Sequence, residues 1–263
     1  MRKTRRRIKK TKPLFKNRFF LLSFLLVIVA GSLANFLFFS PMFQVQRVVE
    51  NGSTRGEEMV ALVQKLVPSR VFFLETRSIF LSKRGKMEQL VLEQFPEVEN
   101  VRVFRDLPST LVLRVIERKE VAQWCDTKSS CFALDAHGVI FRPDDSASLM
   151  RIFPSDSQEP ALGGRVIEVS VLSTLLDFQK RVEQLDLVGQ AKVRVLSSDI
   201  VSNARVSFSL SEGWKVFFNP EESLDWQVTK LRLVLEKKIP PEKRGILEYI
   251  DVRFGNQAYL KYR

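Results

Sequence analysis

The sequence predicts an α+β protein that a single N-terminal helix anchors in a membrane. Three features indicate this class: a long uncharged apolar stretch near the N-terminus, a following order of strand, helix, helix, strand, strand, and then many short alternating strands interrupted by two helices. A chain of 263 residues has room for the membrane helix and about two modest domains. We therefore expect a β-α-α-β-β domain followed by a β-rich domain with two helices.

The apolar stretch covers residues 19–39, and no charged residue occurs between Arg18 and Arg47. At about 1.5 Å per residue, a helix of this length crosses a hydrocarbon core of about 30 Å. A cleaved signal peptide is the alternative, with a tolerable cleavage site at Ser32-Leu33-Ala34. Because the apolar run continues past that site to Phe39, a retained membrane helix is favoured.

A basic arm precedes this helix. Residues 1–18 contain ten Lys and Arg residues and no acidic residue, so the positive-inside rule predicts a cytoplasmic N-terminus and an exterior chain from Pro41 onward. The whole chain has 42 basic and 30 acidic residues, and without the arm its body is nearly neutral. Nucleic-acid binding domains carry their basic charge on a folded face, so the sequence predicts no nucleic-acid partner.

Two cysteines, Cys125 and Cys131, flank a polar loop between two stretches of alternating apolar residues. If these stretches pair as a hairpin, the cysteines face each other within reach of a disulfide, and an exterior compartment would allow it to form. Two free thiols are the alternative. With a single histidine in the chain, the pair makes a poor zinc site, so no metal is expected.

Catalytic motifs are missing from the sequence. It contains no glycine-rich phosphate loop, no HExxH and no GxSxG, and its one histidine, His137, lies in a predicted turn. Carboxylates such as Asp135, Asp199 and Asp251 could form a glycosidase pair, but their spacing nominates none. We therefore expect no enzyme, no cofactor and no small-molecule substrate, with a cell-wall enzyme as the alternative.

Capping residues predict where the exterior helices begin. Thr54, Ser170 and Asn219 each precede an apolar helical stripe, and Pro220 suits the first position after Asn219. A further helix is predicted over about Ile79 to Phe95, where Pro96 would end it.

In the segment Tyr249–Arg263, the residues of one face occupy every second position both before and after Gly255-Asn256. This pattern predicts two strands joined by a hairpin turn. A strand at a sheet edge exposes a row of backbone donors and acceptors. Tyr259, Lys261 and Arg263 would point outward and offer an aromatic ring and positive charge to an acidic partner segment. The alternative is that they form an ordinary solvated face.

Several stretches, taken in chain order, resemble the bacterial cell-division family FtsQ/DivIB. They are the single crossing with its basic arm, FQVQRVVENGS, FPEVENVRVFRDLPSTLVLRVIERKEVAQW, FALDAHGVIF and YIDVRF. The resemblance covers nearly the whole chain. Together with the basic arm and the apolar stretch, the resemblance implies four regions. They are a basic cytoplasmic tail at 1–18, a transmembrane helix at 19–39, a POTRA domain at 43–117 and a C-terminal β domain at 118–263.

The resemblance implies a non-enzymatic scaffold of the divisome, placed at the septum in the bacterial inner membrane. It would join the small coiled-coil membrane proteins FtsB (DivIC) and FtsL, and through them influence FtsW and its transpeptidase partner. The POTRA domain would serve recruitment by upstream division proteins. A membrane-anchored POTRA-containing chaperone or secretion module is the alternative, which would carry further POTRA units or a C-terminal barrel.

In the family, the FtsB-type partner adds a strand to the last strand of the β domain. The matching positions here are Arg253, Phe254, Asn256, Gln257, Ala258 and Tyr259. In the family, an arginine in a neighbouring strand pairs with a carboxylate of the partner. The stretch ARVSF offers Arg205 for this role.

Overall fold

The computed structural model describes residues 18–71, 73–126, 130–146, 148–155, 161–185, 193–202 and 204–263. The predicted basic tail lies outside the described residues except for Arg18. The described chain is a mixed α+β protein with an apolar N-terminal helix, a β-rich body and several further helices, which confirms the predicted fold class. It divides into two compact units, one made of residues up to 92 with 100–116, the other of 93–99 with 117–263.

The N-terminal helix, α1 (Arg18–Phe39), is the one helix in the described chain that is long and apolar enough to cross a membrane. None of its residues is buried by the rest of the protein. Its 22 residues contain no acidic side chain, and a helix of that length spans about 33 Å at 1.5 Å per residue. The helix therefore fits a single-pass membrane anchor.

The first unit is built around a three-stranded sheet. Its elements after α1 are β1 (Arg47–Asn51), α2 (Gly56–Leu66), β2 (Ser69–Val71), β3 (Leu74–Thr76), α3 (Arg84–Gln94), β4 (Val98–Asp106) and β5 (Thr110–Glu117), with one-turn 3₁₀ helices at Pro41–Phe43 and Ile79–Leu81. The strand order is β1-β5-β4, and β1 runs parallel to β5. The short hairpin of β2 and β3, which the sequence pattern did not predict, forms a separate two-stranded sheet.

The core of this unit lies between the sheet and the two helices. Its fully buried side chains alternate along the strands and recur at helical spacing: Met59, Val63, Met87, Val91, Leu111 and Leu113. This pattern follows from burying one face of each element.

For two helices of this unit, the predicted first residue was wrong. Helix α2 begins at Gly56 and its N-cap is Arg55, because the hydroxyl of Ser53 accepts from the Arg55 N–H and closes a turn before the helix. The helix predicted from Ile79 is interrupted at Ser82, whose backbone is extended. The guanidinium of Arg105 donates to the carbonyls of Phe80 and Ser82, which removes acceptors that a continuous helix would need.

The second unit contains a nine-stranded sheet. Its elements are β6 (Glu120–Cys125), β7 (Cys131–Asp135), β8 (Ile140–Pro143), β9 (Arg151–Phe153), α4 (Val169–Glu183), β10 (Val195–Ser202), β11 (Arg205–Leu210), β12 (Lys215–Phe218), α5 (Leu224–Lys237), α6 (Pro241–Arg244), β13 (Leu247–Asp251) and β14 (Tyr259–Tyr262). The order across the sheet is β14-β13-β12-β11-β10-β9-β6-β7-β8. Most neighbours are antiparallel, but β9 runs parallel to β6 and β10, and β12 runs parallel to β13.

Helices α4 and α5 cover one face of this sheet, and aromatic rings fill the space between. Phe178 of α4 stacks on Phe218 with ring centroids 4.0 Å apart, and both rings contact Phe208. The opposite face of the sheet at β11 to β14 is not covered by either helix and carries aromatic and charged side chains.

The starts of these two helices also differ from the prediction. Helix α4 is preceded by Glu168, and Ser170 lies within its first turn. Helix α5 begins at Leu224 and not after Asn219, because the side-chain amide of Gln227 accepts from the N–H of Asn219 and donates to its carbonyl. These two bonds hold Asn219 and Pro220 in a turn that folds back against the helix.

Candidate partner-binding edge

Strand β14 is the outermost strand of the nine-stranded sheet. Within the described residues it pairs with β13 alone, in antiparallel register, with Tyr259 opposite Asp251, Leu260 opposite Ile250 and Lys261 opposite Tyr249. Its other long side faces no strand of the described chain.

The backbone groups on that open side belong to Leu260 and Tyr262. The N–H of Arg263 donates inward to the carbonyl of Ile246, and the N–H of Val252, the residue after β13, donates away from β14 to the carbonyl of Phe217. Residues of an antiparallel strand alternate between the two sides, so Tyr259 and Lys261 bond to β13 while Leu260 and Tyr262 face outward. An added strand would therefore find two donors and two acceptors there.

The uncovered face of the sheet beside this edge carries a group that we call the aromatic-basic face. Its members are Arg205, Phe217, Tyr249, Arg253, Phe254, Tyr259 and Lys261. The strand register places them together, because Lys215, Tyr249 and Lys261 form one row across three strands and Phe217, Asp251 and Tyr259 form the next.

Cations and rings of this face are in contact. The guanidinium of Arg205 lies 4.9 Å from the centre of the Phe217 ring, and that of Arg253 lies 6.0 Å from the same centre. Phe217 also meets the ring of Tyr249 edge-on at 5.3 Å. The structure therefore brings Arg205, from a strand two places away from β13, onto the same ring as Arg253.

The positive charges differ in how they are balanced. Arg253 donates two hydrogen bonds to Asp251, at 2.9 and 2.7 Å, and this pairing raises the pKa of Arg253. Lys261 lies 2.8 Å from Glu248, and that hydrogen bond raises the pKa of Lys261. Arg205, by contrast, has no carboxylate partner among the described residues, and its guanidinium lies over the face of the Phe217 ring.

Phe254 and Tyr259 form an exposed aromatic pair at the end of the edge strand. Their rings meet edge-on at 5.4 Å, and about half of each side chain is exposed. The Tyr259 hydroxyl donates to Gln257 at 2.7 Å, which orients the ring. Such half-exposed rings are frequent at the centre of protein interfaces.

Most of the residues expected at this edge lie in a loop and not in a strand. β13 ends at Asp251 and β14 begins at Tyr259, so Arg253, Phe254, Asn256, Gln257 and Ala258 belong to the connection. The predicted Gly255-Asn256 turn is present, since the N–H of Gln257 donates to the carbonyl of Phe254. Neither β13 nor β14 extends as far as this turn.

Two side chains of α5 hold this loop, and the sequence pattern did not single out either of them. The buried ammonium of Lys230 donates to the carbonyls of Val252, Phe254 and Gly255, at 2.5, 3.4 and 2.7 Å. The indole N–H of Trp226 donates to the Gly255 carbonyl at 2.9 Å. Their spacing of four residues, which puts both on one side of a helix, was the available signal.

The two cysteines lie in the β6–β7 hairpin, away from the edge strand in the sheet order. Cys125 is paired with Cys131 in the register, with Cα atoms 4.1 Å apart, and their sulfur atoms are bonded. Among the residues that the structure describes, no group of three or more His, Cys, Asp or Glu side chains could hold a metal ion.

A model of a known protein family matches part of this chain. The model of the C-terminal part of the cell division protein FtsQ/DivIB matches residues 122–253, which span half of this chain and most of the second unit. A comparison with curated proteins returned no match. The matched range ends within the loop that precedes β14. The chain belongs to the FtsQ/DivIB family of cell-division proteins.

Proposed function

We propose that this cell-division protein is a non-enzymatic scaffold of the divisome, and that an FtsB/DivIC-type partner adds a strand to β14. The observation that carries this proposal is the open side of β14, with the backbone groups of Leu260 and Tyr262 directed outward. Strand addition takes its affinity from main-chain hydrogen bonds and its specificity from alternate side chains. It therefore needs no catalytic group.

The aromatic-basic face supports a partner segment that is acidic and partly apolar. Phe254 and Tyr259 offer exposed rings, and Arg205 offers a guanidinium without a carboxylate partner in the described chain. The Phe217 ring holds the Arg205 guanidinium against the sheet, where a partner carboxylate could accept two parallel hydrogen bonds from it. An acidic side chain beside an added strand would satisfy this geometry.

The remaining parts of the proposal concern the rest of the chain. The first unit, over residues 43–117, acts as a POTRA-type domain for recruitment by other division proteins. The FtsB/DivIC-type partner brings an FtsL-type protein with it, and both connect the scaffold to FtsW and its transpeptidase. Helix α1 would hold the chain in the inner membrane, with its basic tail in the cytoplasm.

The test is a binding measurement with the full chain in lipid nanodiscs and a fluorescent peptide from the FtsB/DivIC-type partner. Tyr262→Pro removes one outward N–H and leaves the inward ladder of β14 intact, because proline is tolerated at strand edges. We expect the affinity to fall by about tenfold or more, which corresponds to one lost main-chain hydrogen bond.

Tyr262→Ala is the matched control, since it removes the same side chain but keeps the N–H. A second pair, Tyr259→Asp and Tyr259→Phe, tests the aromatic pair without touching the outward backbone groups. Equal affinities for Tyr262→Pro and Tyr262→Ala, with both proteins folded by circular dichroism, would reject strand addition at this edge.

A further inference from the structure

The end of helix α1 is joined to the first unit by side chains that cap its last turn. Thr76 and Gln44 donate to the carbonyl of Phe38, at 2.5 and 3.0 Å, and Ser78 donates to the carbonyl of Leu37 at 3.2 Å. These carbonyls belong to the last turn of the helix, where intrahelical donors run out. The unit is thus hydrogen-bonded directly to the end of the helix.

Aromatic packing strengthens the same joint. The ring of Phe43 meets Phe36 of the helix edge-on at 5.7 Å and lies 5.3 Å from Phe80. The connection after the helix, a 3₁₀ turn at Pro41–Phe43, is therefore packed between the helix and the unit. Such a joint holds the unit close to the membrane surface at the C-terminal end of the helix.

The capped carbonyls set the depth of the neighbouring segments. If the apolar helix crosses the hydrocarbon core, Leu37 and Phe38 lie at its end, at the boundary with the headgroups. Thr76, Ser78 and Gln44 bond to them and lie at the same level. Ser109 lies close by, since its carbonyl accepts from the N–H groups of Gln46 and Arg47, two and three residues after Gln44.

Four exposed apolar side chains project from these same segments. They are Met42, Phe73, Leu74 and Leu107, exposed by 57%, 98%, 60% and 59%. We call them the apolar rim. Phe73 and Leu74 lie within three residues of Thr76, which places them within about 10 Å of it along the strand. Leu107 lies two residues before Ser109, which directly precedes the strand that pairs with Arg47.

We propose that the apolar rim inserts into the lipid interface of the membrane that α1 spans. Its members come from three separate segments: two are bonded to the end of the helix, and the third is bonded to the chain that follows the helix. Exposed aromatic and aliphatic side chains at that level partition into the boundary between headgroups and acyl chains. The ion pair of Arg70 and Glu75 flanks the tip of the β2–β3 hairpin and suits the headgroup layer.

This inference does not depend on the proposed partner of β14. It assigns to the β2–β3 hairpin and the β4–β5 turn a role that strand addition leaves unexplained. It also predicts that the first unit keeps one orientation against the bilayer, since three contact points define a plane.

Quenching by brominated lipid tests the depth of the rim. The full chain is reconstituted in phosphatidylcholine vesicles, with and without bromine on the acyl chains, as the parent protein and as Phe73→Trp, Leu107→Trp and Ile116→Trp. The emission that each added tryptophan contributes is taken relative to the parent. We expect most of it to be lost to brominated lipid at positions 73 and 107.

Ile116 is the matched control. Its side chain is also 58% exposed, but it lies near the far end of β5, about 20 Å along the strand from Thr110, which pairs with Arg47 near the helix end. We expect no loss of emission from Ile116→Trp. Quenching at positions 73 and 107 that does not exceed that at position 116 would overturn the proposal.

Discussion

Lys230 shows how one buried side chain shapes the candidate site without touching a partner. Its ammonium lies under the β13–β14 loop and donates to three carbonyls of that loop. Burial lowers the pKa of Lys230, while the charges of Glu222 and Asp251 oppose this shift. A buried ammonium is stable only while its hydrogen bonds are kept, so the loop and the lysine fix each other.

We expect Lys230→Met to loosen the loop, because methionine keeps most of the apolar stem but leaves the carbonyls of Val252 and Gly255 without this donor. The free energy of unfolding should fall by about 1–3 kcal/mol, the usual cost of unsatisfied buried polar groups. Denaturant unfolding measures this change, and peptide binding should weaken in parallel because the loop leads directly into β14.

Lys237→Met is the control for this variant, since Lys237 is exposed in the last turn of the same helix. It should change neither stability nor binding appreciably. If Lys230→Met behaves like Lys237→Met in both measurements, the lysine does not hold the loop.

At the scale of single elements, local sequence pattern predicted the presence of most helices and strands but not all of their ends. The alternation of Ile250, Val252 and Phe254 suggested that β13 continues to the turn, yet the strand ends at Asp251. The reason is tertiary: Lys230 and Trp226 bind the carbonyls of Val252 and Gly255 and hold this segment as a loop. Since both side chains lie on another element, no local pattern in the loop could reveal them.

The β6–β7 hairpin carries the second prediction at this scale. Cys125 and Cys131 close a loop of sequence separation 6, and an oxidising exterior would keep them bonded. We expect protein purified from membranes without reductant to resist alkylation at both cysteines, and to gain two alkyl groups after reduction. Mass spectrometry of the intact chain measures both states.

The stability contribution of this bond should be modest because the loop is short. By chain entropy, a loop of this length contributes about 2 kcal/mol, so Cys125→Ala with Cys131→Ala should leave a folded protein. Alkylation of both cysteines before reduction would contradict the prediction. Reduction of the parent protein under native conditions is the control for the paired substitution.

At the scale of the whole molecule, the sheet order could not be predicted from the sequence. The order of elements along the chain was sufficient to give the α+β class, because local periodicity decides it. The nine-stranded sheet, however, places β9 between β6 and β10 and β13 beside β12, all through parallel pairs between segments that are distant in sequence. Arg205 and Arg253 meet on Phe217 only because of this order.

The orientation of the chain in the membrane is the last prediction. Residues 1–18 carry ten basic residues and no acidic one, whereas the segment just after α1 has no charge before Arg47. Basic residues near the end of a span stay in the cytoplasm, so the chain after Pro41 should lie outside. Protease added to intact spheroplasts should therefore degrade both units and leave a protected fragment that contains the basic tail and α1.

A variant with the basic residues of the tail replaced by glutamine removes the charge asymmetry and keeps the apolar helix. We expect this variant to insert in both orientations. The units of a fraction of the molecules should then be resistant to external protease. Full protection of the parent protein until the spheroplasts are lysed would place the units in the cytoplasm. That result would also place β14 on the opposite side of the membrane from any partner whose binding segment lies on the exterior side.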